Sequence, residues 1–206
     1  MKAASRRLTD GVRSALRASR SRLRAILPSA YDAEVGGYVH DTAMSQFFGP
    51  NQAHYVTGVW ADAAGQVTDT ICKAKTAADN TGVATMILGL PQNSAANKGA
   101  YLKSVDVYFE VRTAALEALS AQLNQATLPA DGAAFGAVTN ESFSYDAGHD
   151  DAAERVDVDQ HTMTLTPDTP FWLDDDSLVM VELTVDAAAT SVFEFYGCRA
   201  NYTLRL

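Results

Sequence analysis

The chain reads as an all-β protein, an antiparallel β-sandwich of jelly-roll type, preceded by a basic amphipathic N-terminal helix. Three observations predict this. Apolar and polar residues alternate with period two in several runs beyond residue 55, turn-forming clusters separate those runs, and the charge is split so sharply that residues 1–28 stand apart. The expected organisation is a helical arm at 1–28, an irregular aromatic-rich connector at 29–54 and a β-sandwich domain at 55–206.

Residues 1–28 contain eight basic side chains against Asp10 alone, a net +7; the whole chain carries -9, so the remainder carries -16. Leu8, Val12, Leu16, Ser19, Leu23 and Leu27 recur every three or four residues, which places them on one helical face with arginines over most of the rest. A helix is predicted from about Asp10 to Leu27, capped by Thr9 or Asp10, weakened locally by Gly11 and ended by Pro28. The contact residues it offers are Arg13, Leu16, Arg17, Arg20, Leu23 and Arg24. Such a face suits four partners: phosphates of a nucleic acid, an anionic membrane surface, an organelle import receptor, or protein. Docking on protein is the favoured reading, because the apolar stripe needs cover and the acidic body offers complementary charge. The arm is accordingly expected to be retained and ordered.

The connector 29–54 lacks periodicity and carries Tyr31, Tyr38, Phe47 and Phe48 beside Gly36-Gly37. Aromatics in such a segment cover a core or reach a neighbour. These four are taken as the assembly contact, with a second copy of the chain as the partner.

In the body, Val105, Val107, Phe109 and Val111 alternate with polar or amphipathic neighbours, as do Val179, Val181, Leu183 and Val185. The latter run and the one from Val192 to Leu206 predict a terminal hairpin, with Glu194, Tyr196 and Cys198 on one side and Phe193, Phe195 and Gly197 on the other. Further strands are expected at Tyr55–Trp60, Val67–Lys75, Val83–Leu90, Ser142–Tyr145 and Thr162–Thr166. The segment 113–123 has helical composition, but Leu119, Ala121 and Leu123 also alternate; a turn followed by a strand pairing with Ser104–Arg112 is the reading adopted.

Composition excludes several classes. A hydrophobic fraction of 47% with 20% charged residues is that of a chain able to bury a core. The longest apolar stretches, Ala84–Leu90 and Leu178–Val185, fall far short of the ~20 residues that span a bilayer. Arginines interrupt any signal-like apolar run at the N-terminus, so secretory export is not expected. Cys72 and Cys198 lack zinc-ligand spacing and are expected to be buried thiols in strands.

Chemistry-bearing motifs are absent: no glycine-rich nucleotide loop, no G-x-S-x-G, no H-E-x-x-H. Neither a catalytic residue, a metal nor a cofactor is expected. His40, His54, His149 and His161 are scattered. The stretch from His149-Asp150-Asp151 through Glu154, Asp157, Asp159 and His161 is dense enough in carboxylates to consider Ca²⁺, but lacks the glycine and spacing of an EF-hand and reads as a solvated loop. Asp174-Asp175-Asp176 reads as a turn. Trp60 and Trp172 suit either a core or a sugar-stacking platform.

Two segments, LVMVELTVDAAATSVFEFYG at 178–197 and KGAYLKSVDVYF at 98–109, resemble uncharacterised β-sandwich structural proteins of tailed phages and marine viruses. The resemblance implies a non-enzymatic virion protein located in the virion, a capsid or capsid-associated component that self-assembles through its sandwich and arm and contacts other virion proteins and, through the arm, nucleic acid. A tail or neck component is one alternative. A surface carbohydrate-binding module is the other, and it would expose Trp60 or Trp172 beside polar side chains.

Overall fold

Alternating sequences become strands because successive side chains point to opposite faces of a pleated backbone, so one face of each run is buried. A computed structural model of the chain describes residues 31–32, 37–38, 42–63, 72–75, 80–93, 99–133 and 138–204. The arm, with Arg13, Leu16, Arg17, Arg20, Leu23 and Arg24, lies outside these residues. Apart from a 3-10 turn at Pro50–Gln52, every regular element among the described residues is a strand.

The strands are β1 (Tyr31–Asp32), β2 (Gly37–Tyr38), β3 (Thr42–Phe48), β4 (Ala53–Thr57), β5 (Trp60–Ala63), β6 (Cys72–Lys75), β7 (Asn80–Leu88) and β8 (Ala100–Arg112). They continue with β9 (Ala118–Thr127), β10 (Val138–Glu141), β11 (Phe143–Tyr145), β12 (Gln160–Pro167), β13 (Phe171–Trp172), β14 (Ser177–Ala187) and β15 (Val192–Leu204). The chain divides into two units, Met1–Thr42 with Arg205–Leu206, and Ala43–Leu204. In the first, β1 and β2 pair with Tyr31 opposite Tyr38.

The second unit is a two-sheet sandwich. One sheet has the order β10-β9-β14-β7-β4; the larger has β11-β12-β8-β15-β6-β5, with β13 added on β8 and β3 on β15. The described pairings between these strands are antiparallel. Val105, Val107, Phe109 and Val111 of β8 and Val179, Val181, Leu183 and Val185 of β14 are all buried in one apolar cluster, joined by Met163, Leu165, Phe193 and Phe195. Each such side chain contributes roughly 1.5–3 kcal/mol by leaving water, which is what holds the sheets face to face.

The structure corrects the sequence reading in four places. Residues 42–48 of the expected irregular connector form β3, and Phe48, expected at an assembly contact, is only 3% exposed within this unit's own core. The expected terminal hairpin does not exist: β14 lies between β7 and β9, whereas β15 lies between β8 and β6, so residues 188–191 cross from one sheet to the other. Alternation specifies which residues face the core but not from which side they do so. Residues 113–117 do turn and β9 does follow, but it pairs with β14 and β10 rather than β8.

The fourth correction is a β-bulge between Phe195 and Gly197, where two residues of β15 oppose one step of β8. It reverses the expected alternation. Phe193 and Phe195 point inward before it; Cys198 and Ala200 point inward after it; Glu194, Tyr196, Arg199 and Asn201 share the outer face. Cys72 and Cys198 are buried and form no disulfide, and burial pushes the Cys198 thiol well above its ordinary range.

Candidate functional site

The outer face of the larger sheet carries the chemistry, and β8 and β15 supply most of it. With Val105, Val107, Phe109 and Val111 inward, β8 must present Ser104, Asp106, Tyr108, Glu110 and Arg112 outward. The bulge at Gly197 brings the matching residues of β15 to the same side. Register then sets Asn201 opposite Ser104, Arg199 opposite Asp106 and Glu194 opposite Glu110.

Asn201 Nδ2 donates to Ser104 Oγ (3.1 Å) and to Asp106 Oδ2 (2.9 Å), and Thr164 Oγ1 of β12 donates to Asp106 Oδ1 (2.9 Å). The Arg199 guanidinium lies 5.4 Å from the Tyr108 ring centroid, and Phe47, 51% exposed, packs on the same ring at 6.0 Å. Burial, then the Asp106 charge, push the Tyr108 hydroxyl up, with Arg199 opposing. At the other end of β8, the Tyr101 and Trp172 rings pack at 4.7 Å, tilted by 32°, and Lys103 Nζ sits 4.0 Å over the Tyr101 ring. These planar groups are fixed by one another rather than left to rotate, the condition for a preorganised recognition surface.

Glu110 and Glu194 form the unusual pair. They are 1% and 3% exposed and directly opposite, an arrangement that like charges ordinarily disfavour. Two groups hold it. Arg112 Nη1 donates to Glu194 Oε1 (2.6 Å) while its Nε stands 3.9 Å from Glu110 Oε1, and the Tyr196 hydroxyl lies 3.0 Å from Oε2 of both glutamates. One hydroxyl hydrogen therefore serves two carboxylates. The Glu194 hydrogen bond and charge raise the Arg112 guanidinium further above its already high range; burial, then bonds to both glutamates, push the Tyr196 hydroxyl up.

Beside this pair opens a groove of about 530 Å³ lined by Glu110, Val111, Arg112, Thr113, Val158, Asp159 and Gln160. Thr113 sits in it at φ 73, a left-handed conformation that a β-branched residue rarely adopts. The far wall is the end of the loop 146–160. Asp159 O accepts from Val111 N (2.9 Å) and Val156 O from Leu116 N (3.0 Å), tying that loop to β8 and to the turn after it.

Asp146 organises the loop from its other end. It accepts from Thr164 N (2.6 Å), Gly148 N (3.1 Å) and His149 Nδ1 (2.9 Å). Burial alone would push this carboxyl up; the bonds from Thr164, His149 and Gly148 outweigh it and hold the carboxyl below its ordinary range. Arg155, stacked 4.3 Å over Tyr145, donates to His149 O (2.5 Å), Asp150 O and Leu119 O. The acidic stretch is thus laced by its own arginine and aspartate. Among the described residues, no three His, Cys, Asp or Glu side chains converge as a metal would require.

A folded carboxyl held low contributes stability that is complete above its unfolded pKa, about 3.9, and lost as pH falls through the folded value. Asp146→Asn is expected to lower the unfolding free energy at pH 7 by about 1–3 kcal/mol. Urea denaturation at stepped pH should show that gap narrowing below about pH 4; a gap that widened on acidification would contradict the assigned role.

Of the residues singled out in the sequence, Trp60 is half-buried and packs against the core, 4.8 Å from Tyr55 and 6.1 Å from Phe193, whereas Trp172 lies on the outer face. Tyr31 and Tyr38 oppose one another in β1 and β2 and are not part of the second unit. His54 is exposed on β4, and His40 lies outside the described residues. Asp174–Asp176 form the expected turn, with Ser177 N bonded to Asp174 O. His149 and His161 are in contact, which their spacing did not suggest. Glu110, Arg112, Glu194 and Tyr196 were invisible as a set because only strand register joins them. No helix among the described residues is long and apolar enough to cross a membrane.

No protein-family model matches the chain, and no curated protein matches it. Among solved structures it is similar to the CBM22-1–GH10 modules of a Clostridium thermocellum xylanase 10B complexed with xylohexaose, at 8% identity over 75% of this chain and 26% of that one, TM-score 0.40. It is also similar to a family 11 carbohydrate-binding module from Clostridium thermocellum, at 9% identity over 80% of this chain and 89% of that one, TM-score 0.33. A third is the TmCBM61 module in complex with β-1,4-galactotriose, at 7% identity over 80% of this chain and 88% of that one, TM-score 0.34. The chain spans about a quarter of the length of the first. With overlaps this partial and identities this low, the function rests on this chain's own residues.

Proposed function

We propose that the chain is a non-catalytic binding module whose ligand is a glycan, held on the outer face of the larger sheet. The carrying observation is the row Ser104, Asp106 and Tyr108 with Asn201, Arg199 and Thr164, in which carboxylate, amide, hydroxyl, guanidinium and ring are locked by mutual contacts. Sugar hydroxyls both donate and accept, so adjacent acceptors and donors in fixed geometry suit them; the apolar faces of sugar rings suit exposed aromatic faces. The outward face of the smaller sheet, with Thr85, Ile87, Met180, Glu182 and Gln122, presents no aromatic ring along β7, β14 and β9.

The reading is non-catalytic because Glu110 and Glu194, the carboxylates set opposite one another, are engaged with shared partners. Glycoside-cleaving carboxyl groups face an open cleft across roughly 5–9.5 Å, whereas Glu110 and Glu194 share one tyrosine hydroxyl and one arginine.

Affinity electrophoresis through gels containing neutral and acidic polysaccharides, with a glycan array beside it, tests the reading. Retardation by at least one polysaccharide is expected. Asp106→Ala and Tyr108→Ala should each weaken that binding at least tenfold, about 1.4 kcal/mol, without loss of the β-type circular dichroism. Absence of binding to every glycan, with ordered oligomers seen by mass photometry, would overturn it in favour of the virion component that the sequence resemblance implies.

A further inference from the structure

Building on the glycan reading, on which this rests, we infer that the ligand is an acidic glycan, a chain of sugars bearing repeated carboxylate or sulfate groups, and that Lys103 and Arg199 select it.

On the outer face of β8 and β15 these two cations are uncommitted while the carboxylates are not. Lys103 and Arg199 are both exposed. Among the described residues neither makes an ion pair or a side-chain hydrogen bond. Each is held against a ring instead, Lys103 Nζ 4.0 Å over Tyr101 and the Arg199 guanidinium 5.4 Å from the centroid of Tyr108. Such a contact orients the cation but gives its N–H donors no oxygen acceptor.

Asp106 stands opposite Arg199 in the register, yet the two form no ion pair. Its Oδ1 accepts from Thr164 Oγ1 at 2.9 Å and its Oδ2 from Asn201 Nδ2 at 2.9 Å. A guanidinium beside a carboxylate ordinarily closes on it, as Arg112 closes on Glu194 at 2.6 Å. Here the amide and the hydroxyl take the oxygens that Arg199 would use, which leaves its planar fork for an anion from outside the chain. Glu110 and Glu194 are likewise engaged, by Arg112 and Tyr196.

The placement of the cations says what carries the anion. Lys103 stands beside Tyr101 and Trp172, whose rings are 4.7 Å apart, and Arg199 beside Tyr108 and Phe47, 6.0 Å apart. A sugar with an acidic substituent presents an apolar ring face and an anionic group on one unit, so an aromatic ring with a cation next to it matches both parts. Arg199 is opposite Asp106, three positions along β8 from Lys103, so the two cations are separated by about 10 Å along the strand. That exceeds one sugar ring, and a single acidic sugar cannot serve both. An oligomer with repeated charge can.

The intact chain is tested by affinity electrophoresis against matched polymers that differ in charge alone: polygalacturonate against its methyl ester, and dextran sulfate against dextran. The charged member of at least one pair should bind at least about tenfold tighter than its uncharged counterpart. Which pair shows the preference distinguishes carboxylate from sulfate. Lys103→Gln and Arg199→Gln should each weaken binding of the charged member roughly tenfold, leave the uncharged one nearly unchanged and keep the β-type circular dichroism. Because the basic arm at 1–28 would also attract polyanions, these substitutions, which leave the arm intact, are decisive. A preference that survives both would put the anion site elsewhere on the chain and overturn the assignment. Equal binding of charged and uncharged members would overturn the acidic class and leave the glycan reading standing. Failure of every polymer to bind would instead remove the glycan reading, and this inference with it.

Discussion

Gly197→Val is expected to cost more than about 4 kcal/mol of unfolding free energy, enough to unfold a domain of ordinary stability. A Cβ at this position would stand 2.2 Å from Phe48 O, 3.0 Å from Phe47 Cζ and 3.3 Å from Gly49 Cα. The first of these is backbone and cannot step aside. The φ of 124 adds a conformation that L side chains rarely adopt. Gly132→Ala is the matched control: its φ is 75, but nothing lies within 4 Å of the added carbon, so only backbone strain of about 1 kcal/mol is expected. Urea denaturation of both variants separates close approach from strain. Equal, small losses would mean that β3 moves away freely and that the bulge does not fix the outer face.

That bulge also marks the boundary of what the sequence could show. The inward rows of β8 and β14 were legible because the whole pattern of alternation survives in the fold, and every residue expected in those rows is buried. Beyond Tyr196 the alternation in β15 fails by one residue, so Cys198, buried as expected, lies on the face opposite to Glu194 and Tyr196 with which alternation groups it; a glycine inside a strand was the available signal for a bulge. Sheet membership was not legible at all. β14 and β15 are consecutive, alternating and separated by a short connection, which is the signature of a hairpin, yet they lie in different sheets. For the same reason the site could not be read. Glu110 and Glu194 are 84 positions apart in sequence and each looks like a solvated outward residue, and only the register of β8 with β15 sets them opposite one another.

The same register gives the second large effect. Arg112→Met should keep most of the side chain's length while removing the charge that bonds Glu194 at 2.6 Å and stands 3.9 Å from Glu110. Two nearly inaccessible carboxylates would then be left opposite one another with less compensation, and breaking such a pair costs about 3–5 kcal/mol when it is fully buried. Since the arginine side chain is itself 41% exposed, water and ions can screen part of the loss, and about 2–3 kcal/mol at pH 7 is the expected value. Neutralising one carboxyl should relieve the repulsion between the two: Arg112→Met with Glu194→Gln is expected to recover more than half of the loss, a coupling that a double-mutant cycle reads directly. A deficit additive with that of Glu194→Gln would show that Arg112 acts only through the packing of its stem and that the glutamates are compensated from elsewhere.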